Sequence, residues 1–284
     1  MTDAYAPLRQ FAPDLPGVGF LRRLYRDEPA MMATAVVMAL IVIPFSAAAL
    51  IDMRTHLGIN IWIKPIKFAV ALSVYTATLA FFARWLRPEF RASRAYRWFT
   101  TAVITAIAAE MAWIAGAAAL GTSSHFNTAT PALGVLYGLM GGLATLLTSA
   151  TAVYAWGIAR NRETDLPRPV KEALVTGLAL NLPLTLITAG TLASMTGHAV
   201  GGTGSDADGL WLMGWLRDAG DLRVPHFFAT HAMHALPLAG LVALTLSDRR
   251  RLLAVRLAAA AYTVFVIYTL VQALSGQPFL PMLG

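Results

Sequence analysis

The chain contains no cysteine. Disulfides, thiolate-bound metals and cysteine nucleophiles are therefore excluded, and any metal must be held by nitrogen, oxygen or thioether ligands. Charge is also scarce: 13% of the 284 residues are Asp, Glu, Lys or Arg, where soluble domains carry about 25%. Hydrophobic residues make up 57%, the composition of an integral membrane protein. No phosphate loop is present, because the stretch "GGTG" at 201–204 follows no strand and leads to no GK[ST]. No internal repeat is visible. The first 29 residues lack the charged-then-apolar order of a cleavable signal peptide, so the first span is expected to remain as an anchor.

A spanning helix needs roughly 20 largely apolar residues. Seven stretches meet this: 30–51, 59–86, 98–121, 131–159, 173–195, 225–246 and 252–274. The expected fold class is all-α, a seven-helix membrane domain over 30–276 between a cytoplasmic segment, 1–29, and an extracytoplasmic tail, 277–284. With the N-terminus inside, all of the 22 lysines and arginines except Arg54, Lys64, Lys67, Arg217 and Arg223 fall on the cytoplasmic side, as the positive-inside rule requires. The predicted location is the plasma (inner) membrane, N-terminus in and C-terminus out. The net charge of +7 then follows from topology and attraction to anionic lipid. Nucleic-acid binding has no support, since the arginines sit in short interhelical loops.

This orientation puts His56, His125, His198, His226, His231 and His234 on the outer side. After His234 only "ALPLAGLVALTL" is left to span, so His231 and His234 are expected inside the membrane. Three residues apart on a helix, they lie about 60° apart, with His226 about 80° further round. Such a pair can share one metal ion or face one polar cavity, but cannot supply both axial ligands of one haem. For haem, His198 is the expected partner on another helix. Glu110 and Lys67 are ionisable groups within or at the edge of spans, and such groups face the bundle interior and mark function. They are expected to form an ion pair, to orient an imidazole ligand, or to carry protons.

Span five carries a polar stripe, Asn181, Thr185, Thr188, Thr191, Ser194 and His198, that leads toward the outer surface. Gly134, Gly138 and Gly142 form overlapping GxxxG units suited to close helix approach, within the bundle or in a homo-oligomer. The loop 199–224 is read as a lid, with Trp211, Leu212, Trp215 and Leu216 on one face of a short interfacial helix.

Ser194 and His198 form an SxxxH pattern similar to that of the membrane-embedded zinc hydrolases of the ceramidase and progestin-receptor superfamily. That resemblance implies bound zinc and hydrolysis. The chain departs from the pattern in carrying His231-x-x-His234 in place of HxxxH and SxxxH on the fifth span. The HxxH histidines with aromatic neighbours also resemble haem-binding subunits of respiratory enzymes.

The leading expectation is a membrane oxidoreductase or electron-transfer protein. Its outward-facing site would hold haem b or a transition metal (copper, iron or zinc) on His198, His231 and His234, with His125 or His226 as further ligands. Glu110 and Lys67 would support it, and a quinone or lipid-like substrate would enter from the bilayer. The alternatives are a metal-dependent lipid hydrolase with Ser194 or metal-bound water as nucleophile, and a proton-coupled transporter using Glu110 and Lys67.

Overall fold

The computed structural model describes residues 18–211 and 213–280. Expectations that fall on residues 1–17, Leu212 and the end of the tail lie outside these. Among the described residues six helices are long and apolar enough to cross a bilayer, which makes this an all-α, multi-pass membrane protein. In chain order the helices are α1 (Val18–Asp27), α2 (Pro29–Ile51), α3 (Ile63–Phe82, prolonged by a 3-10 turn to Trp85), α4 (Pro88–Ala92) and α5 (Arg94–Leu120). They continue with α6 (Pro131–Arg160), α7 (Arg168–Ala193), α8 (Arg223–Thr230), α9 (Ala232–Ala243) and α10 (Asp248–Leu274).

Local chemistry sets several boundaries. Ser93 caps α5 by accepting from Tyr96 N at 3.2 Å, and Gly121, at φ 73°, ends it in the left-handed conformation. Thr130 caps α6 just before Pro131. Between α2 and α3 a tight hairpin pairs Thr55 with Asn60 and His56 with Ile59. Its two turn residues, Leu57 and Gly58, both have positive φ, as a type I′ turn demands.

Helix α2 packs on α3, α5 on α6, α6 on α7, and α7 on both α9 and α10. Helices α7 and α9 approach closely at Gly177, where an added Cβ would lie 2.7 Å from Ala232 O. With no hydrophobic driving force between helices in lipid, such small-residue contacts are a main source of helix association. The fully buried side chains include Leu79, Ile107, Tyr154, Ile158, Leu174, Leu178 and Met233. Two ends result: an arginine end, with the starts of α2, α5, α7 and α10, and a histidine end, with the loops 52–62, 121–130 and 194–222.

Three expectations are corrected. The stretch 225–246 is not one helix but α8 and α9, broken at His231. No helix forms among the described residues of the loop 199–222. There Gly214 (φ 69°) donates to Leu210 O and Leu210 N to Trp215 O, turning the chain so that Trp211 is 95% exposed while Trp215 and Leu216 are buried. Trp211 therefore does not share a face with Trp215 and Leu216. Finally, of the two roles expected for Gly134, Gly138 and Gly142, contact within the bundle is not seen: among the described residues nothing lies within 4 Å of a Cβ added at any of them. The segment read as polar before span one also carries α1, whose Leu24 is buried in the core.

Candidate polar site at the histidine end

The site is built around the break between α8 and α9. No proline or glycine lies at His231, so neighbouring helices hold the interruption open. A break frees carbonyls that lipid cannot satisfy. Asn181 of α7 donates to Thr230 O at 2.6 Å and to Ala229 O at 3.4 Å, and Tyr262 of α10 donates to Phe228 O at 2.7 Å. His231 Nδ1 lies 2.7 Å from Phe227 O and its ring stacks on Phe227 at 3.9 Å. Since a carbonyl only accepts, Nδ1 carries the proton and Nε2 is left with its lone pair. One turn on, His234 Nε2 meets Thr78 Oγ1 at 3.0 Å. Thr78 lies fifteen residues along α3 from Ile63, roughly 22 Å from the histidine end.

Four buried polar atoms near this level or above it have no hydrogen-bond partner: Glu110 Oε1, Thr185 Oγ1, His226 Nδ1 and His234 Nδ1. Buried polar groups in native folds almost always find one, so these atoms are free to bond a polar species. Glu110 interacts electrostatically with Lys64. Lys67, the expected partner, is exposed and donates to Met213 O at 2.9 Å. Glu110 and His234 thus belong to different neighbourhoods, one facing α3 near its start and the other near its end.

Above the break lies an ion network that the sequence did not reveal. Arg223 Nη2 donates to Asp206 Oδ1, Asp221 Oδ2 and Gly214 O, each at 2.7 Å. His198 Nε2 lies 3.1 Å from the same Asp206 oxygen. Burial opposes the charge on Asp206, but the His198 hydrogen bond and the Arg223 guanidinium outweigh it and hold the carboxyl below its ordinary range. His198 is therefore engaged with a carboxylate. Ser194 is exposed and donates back to Thr191 O at 2.7 Å, so its hydroxyl serves its own helix. Thr188 and Thr191 likewise bond to carbonyls of α7, which leaves Asn181, Thr185 and His198 as the members of the stripe not bonded to their own helix.

His125, in the loop 121–130, is 3.0 Å from Ser124 Oγ through Nδ1 and packs on Phe68 and Tyr137. Burial, reinforced by the positive charge of Lys64, pushes its imidazole down to about 3. His56 is exposed in the hairpin and is not part of the break. Among the described residues no three His, Asp or Glu side chains are arranged to hold a metal ion. Asp206, Asp221 and Thr78 went unsuspected because they are a loop carboxylate, a residue before a helix and a mid-span hydroxyl. Nothing in their local sequence distinguishes them.

The fold and the site define a class: a helical multi-pass membrane protein with an interrupted helix and ionisable groups inside its bundle. Comparison with protein-family models, curated proteins and solved structures finds no match for this chain.

Proposed function

We propose that this chain is a seven-span plasma-membrane protein, N-terminus cytoplasmic, that moves a small polar solute across the bilayer coupled to protons. Helices α8 and α9 act together as the sixth of the seven crossings. The histidine end faces outward, as the lysine and arginine distribution indicates. The observation that carries the reading is the break at His231. Asn181 holds Thr230 O at the break, Tyr262 donates to the neighbouring Phe228 O, and the break lies between His226 and His234, which keep unpartnered ring nitrogens among the described residues. Discontinuous membrane helices are where transporters bind solutes and coupling ions, and the adjacent α7 carries Pro183 two residues beyond Asn181. Glu110 and His234 are assigned the proton-binding roles, Lys64 and Arg223 the attraction of anionic groups. The test uses proteoliposomes loaded with a pH-sensitive dye and a panel of small carboxylates, amines and sugars. Wild type is expected to acidify the lumen with at least one compound, and Glu110→Gln and His234→Gln to abolish the signal. Uptake unaffected by both variants, or no coupled proton movement with any compound, would refute the reading.

A second reading keeps the metal or haem expectation, and one observation favours it. The Nδ1–H of His231 is held by Phe227 O, which aims Nε2 outward as a lone-pair donor, the way metal-bound histidines are oriented. It requires that purified protein carry a near-stoichiometric metal or a haem absorbance that His231→Gln removes. The lipid-hydrolase reading has no such support, because Ser194 and His198 each have other partners.

A further inference from the structure

At the opposite end of the bundle a second buried ionisable group is wired into the fold. Glu28, which precedes α2, is 6% exposed. Its Oε2 accepts from Tyr96 Oη of α5 at 2.6 Å, and Tyr96 Oη is 2.8 Å from Tyr154 Oη of α6. Tyr96 and Tyr154 are also buried, at 4% and 1%. The charged group that acts on Glu28 is Arg91, whose guanidinium also bonds Asp27 O; nearby at this end are Asp27, Arg26 and Arg84, the last 3.8 Å from Asp165. A surface cavity of about 360 Å³ opens here between Arg26, Asp27, Arg84 and Asp165. Asp27 stands in its wall, and the buried Glu28 follows it in the chain. Burial pushes the Glu28 carboxyl above its ordinary range, with the Tyr96 hydrogen bond and the Arg91 charge acting against the rise.

The direction of the hydrogen bonds has a consequence. With Glu28 ionised, Tyr96 must donate to it, so Tyr154 must donate to Tyr96. With Glu28 protonated, the carboxylic acid donates to Tyr96, and Tyr96 donates to Tyr154. One proton taken up at Glu28 reverses the whole row, and no proton is lost elsewhere. We propose that Glu28 is the proton-binding site of the arginine end, opening to its cavity, and that Tyr96 relays its charge state to Tyr154 on α6. This rests on the reading that the chain handles protons across the bilayer.

The test is infrared difference spectroscopy of the full chain in proteoliposomes of determined orientation, with the pH stepped on one side at a time. A carboxylic C=O band that titrates with the pH of the arginine-end side, and is absent in Glu28→Gln, is expected. Tyr96→Phe removes the donor that stabilises the charged form. It should raise the midpoint of that band by about one pH unit, the size of one charge-assisted hydrogen bond. A purely structural role leaves the midpoint where it was. A band that is insensitive to Tyr96→Phe, survives Glu28→Gln or follows the histidine-end pH would overturn the inference. If that happens while Glu110→Gln and His234→Gln still abolish coupled proton movement, only the Glu28 assignment falls. If those variants are silent too, the transport reading falls with it.

Discussion

Asn181 shows how much one side chain carries when it sits in a membrane. It supplies donors to two carbonyls that the helix break leaves without partners inside their own helix. Asn181→Ala is expected to lower stability by about 1–3 kcal/mol, the cost of leaving buried acceptors unmade, read as a drop in the unfolding temperature of the detergent-solubilised protein. His125 makes a prediction with a definite sign. Its folded value of about 3 lies below the ordinary value of 6.5, so the fold holds the neutral imidazole. That contribution is fully present above about pH 6.5 and is lost as the pH falls toward the folded value, with a slope approaching 1.4 kcal/mol per pH unit, roughly. His125→Gln should flatten this part of the decline in unfolding temperature between about pH 7 and pH 4.

At the scale of elements, glycine position separates contacts that hold the bundle from surfaces that face outward. An alanine at Gly177 would place its Cβ 2.7 Å from Ala232 O and 3.1 Å from Leu236 Cβ. Gly177→Ala is expected to push α7 from α9 and cost about 1–3 kcal/mol. Gly138→Ala meets nothing within 4 Å and should leave the unfolding temperature unchanged. The six long helices were legible in the sequence because hydropathy over some 20 residues is a strong, local signal. The break was not legible, since His231 has no helix-breaking neighbour in sequence and the groups that hold it, Asn181 and Tyr262, lie 50 and 31 residues away. His231 and His234 were found from the short apolar run behind them. Glu28 was missed because it stood in the segment 1–29, expected to lie outside the membrane domain. Its burial comes from α1 folding over the arginine end, with Phe20 against Phe81 at 6.1 Å.

For the whole molecule, the absence of cysteine turns topology into a direct measurement. Single cysteines introduced at Ser205, in the loop 199–222, and at Thr164, between α6 and α7, are expected to react with a membrane-impermeant maleimide from opposite sides of intact cells. Ser205→Cys should label from outside, and Thr164→Cys only after the membrane is opened. Labelling of both from the same side would contradict an odd number of crossings between them.

Arg223 begins α8, and its guanidinium grips a loop carboxylate, the residue before the helix and a glycine carbonyl at once. Asp206 at the same time reaches back to Leu57 O of the hairpin through its backbone N–H. Anchors that share a single cation cannot let go one by one. Displacing Arg223 would therefore loosen Asp206, Asp221 and the turn at Gly214 together, and with them the start of α8.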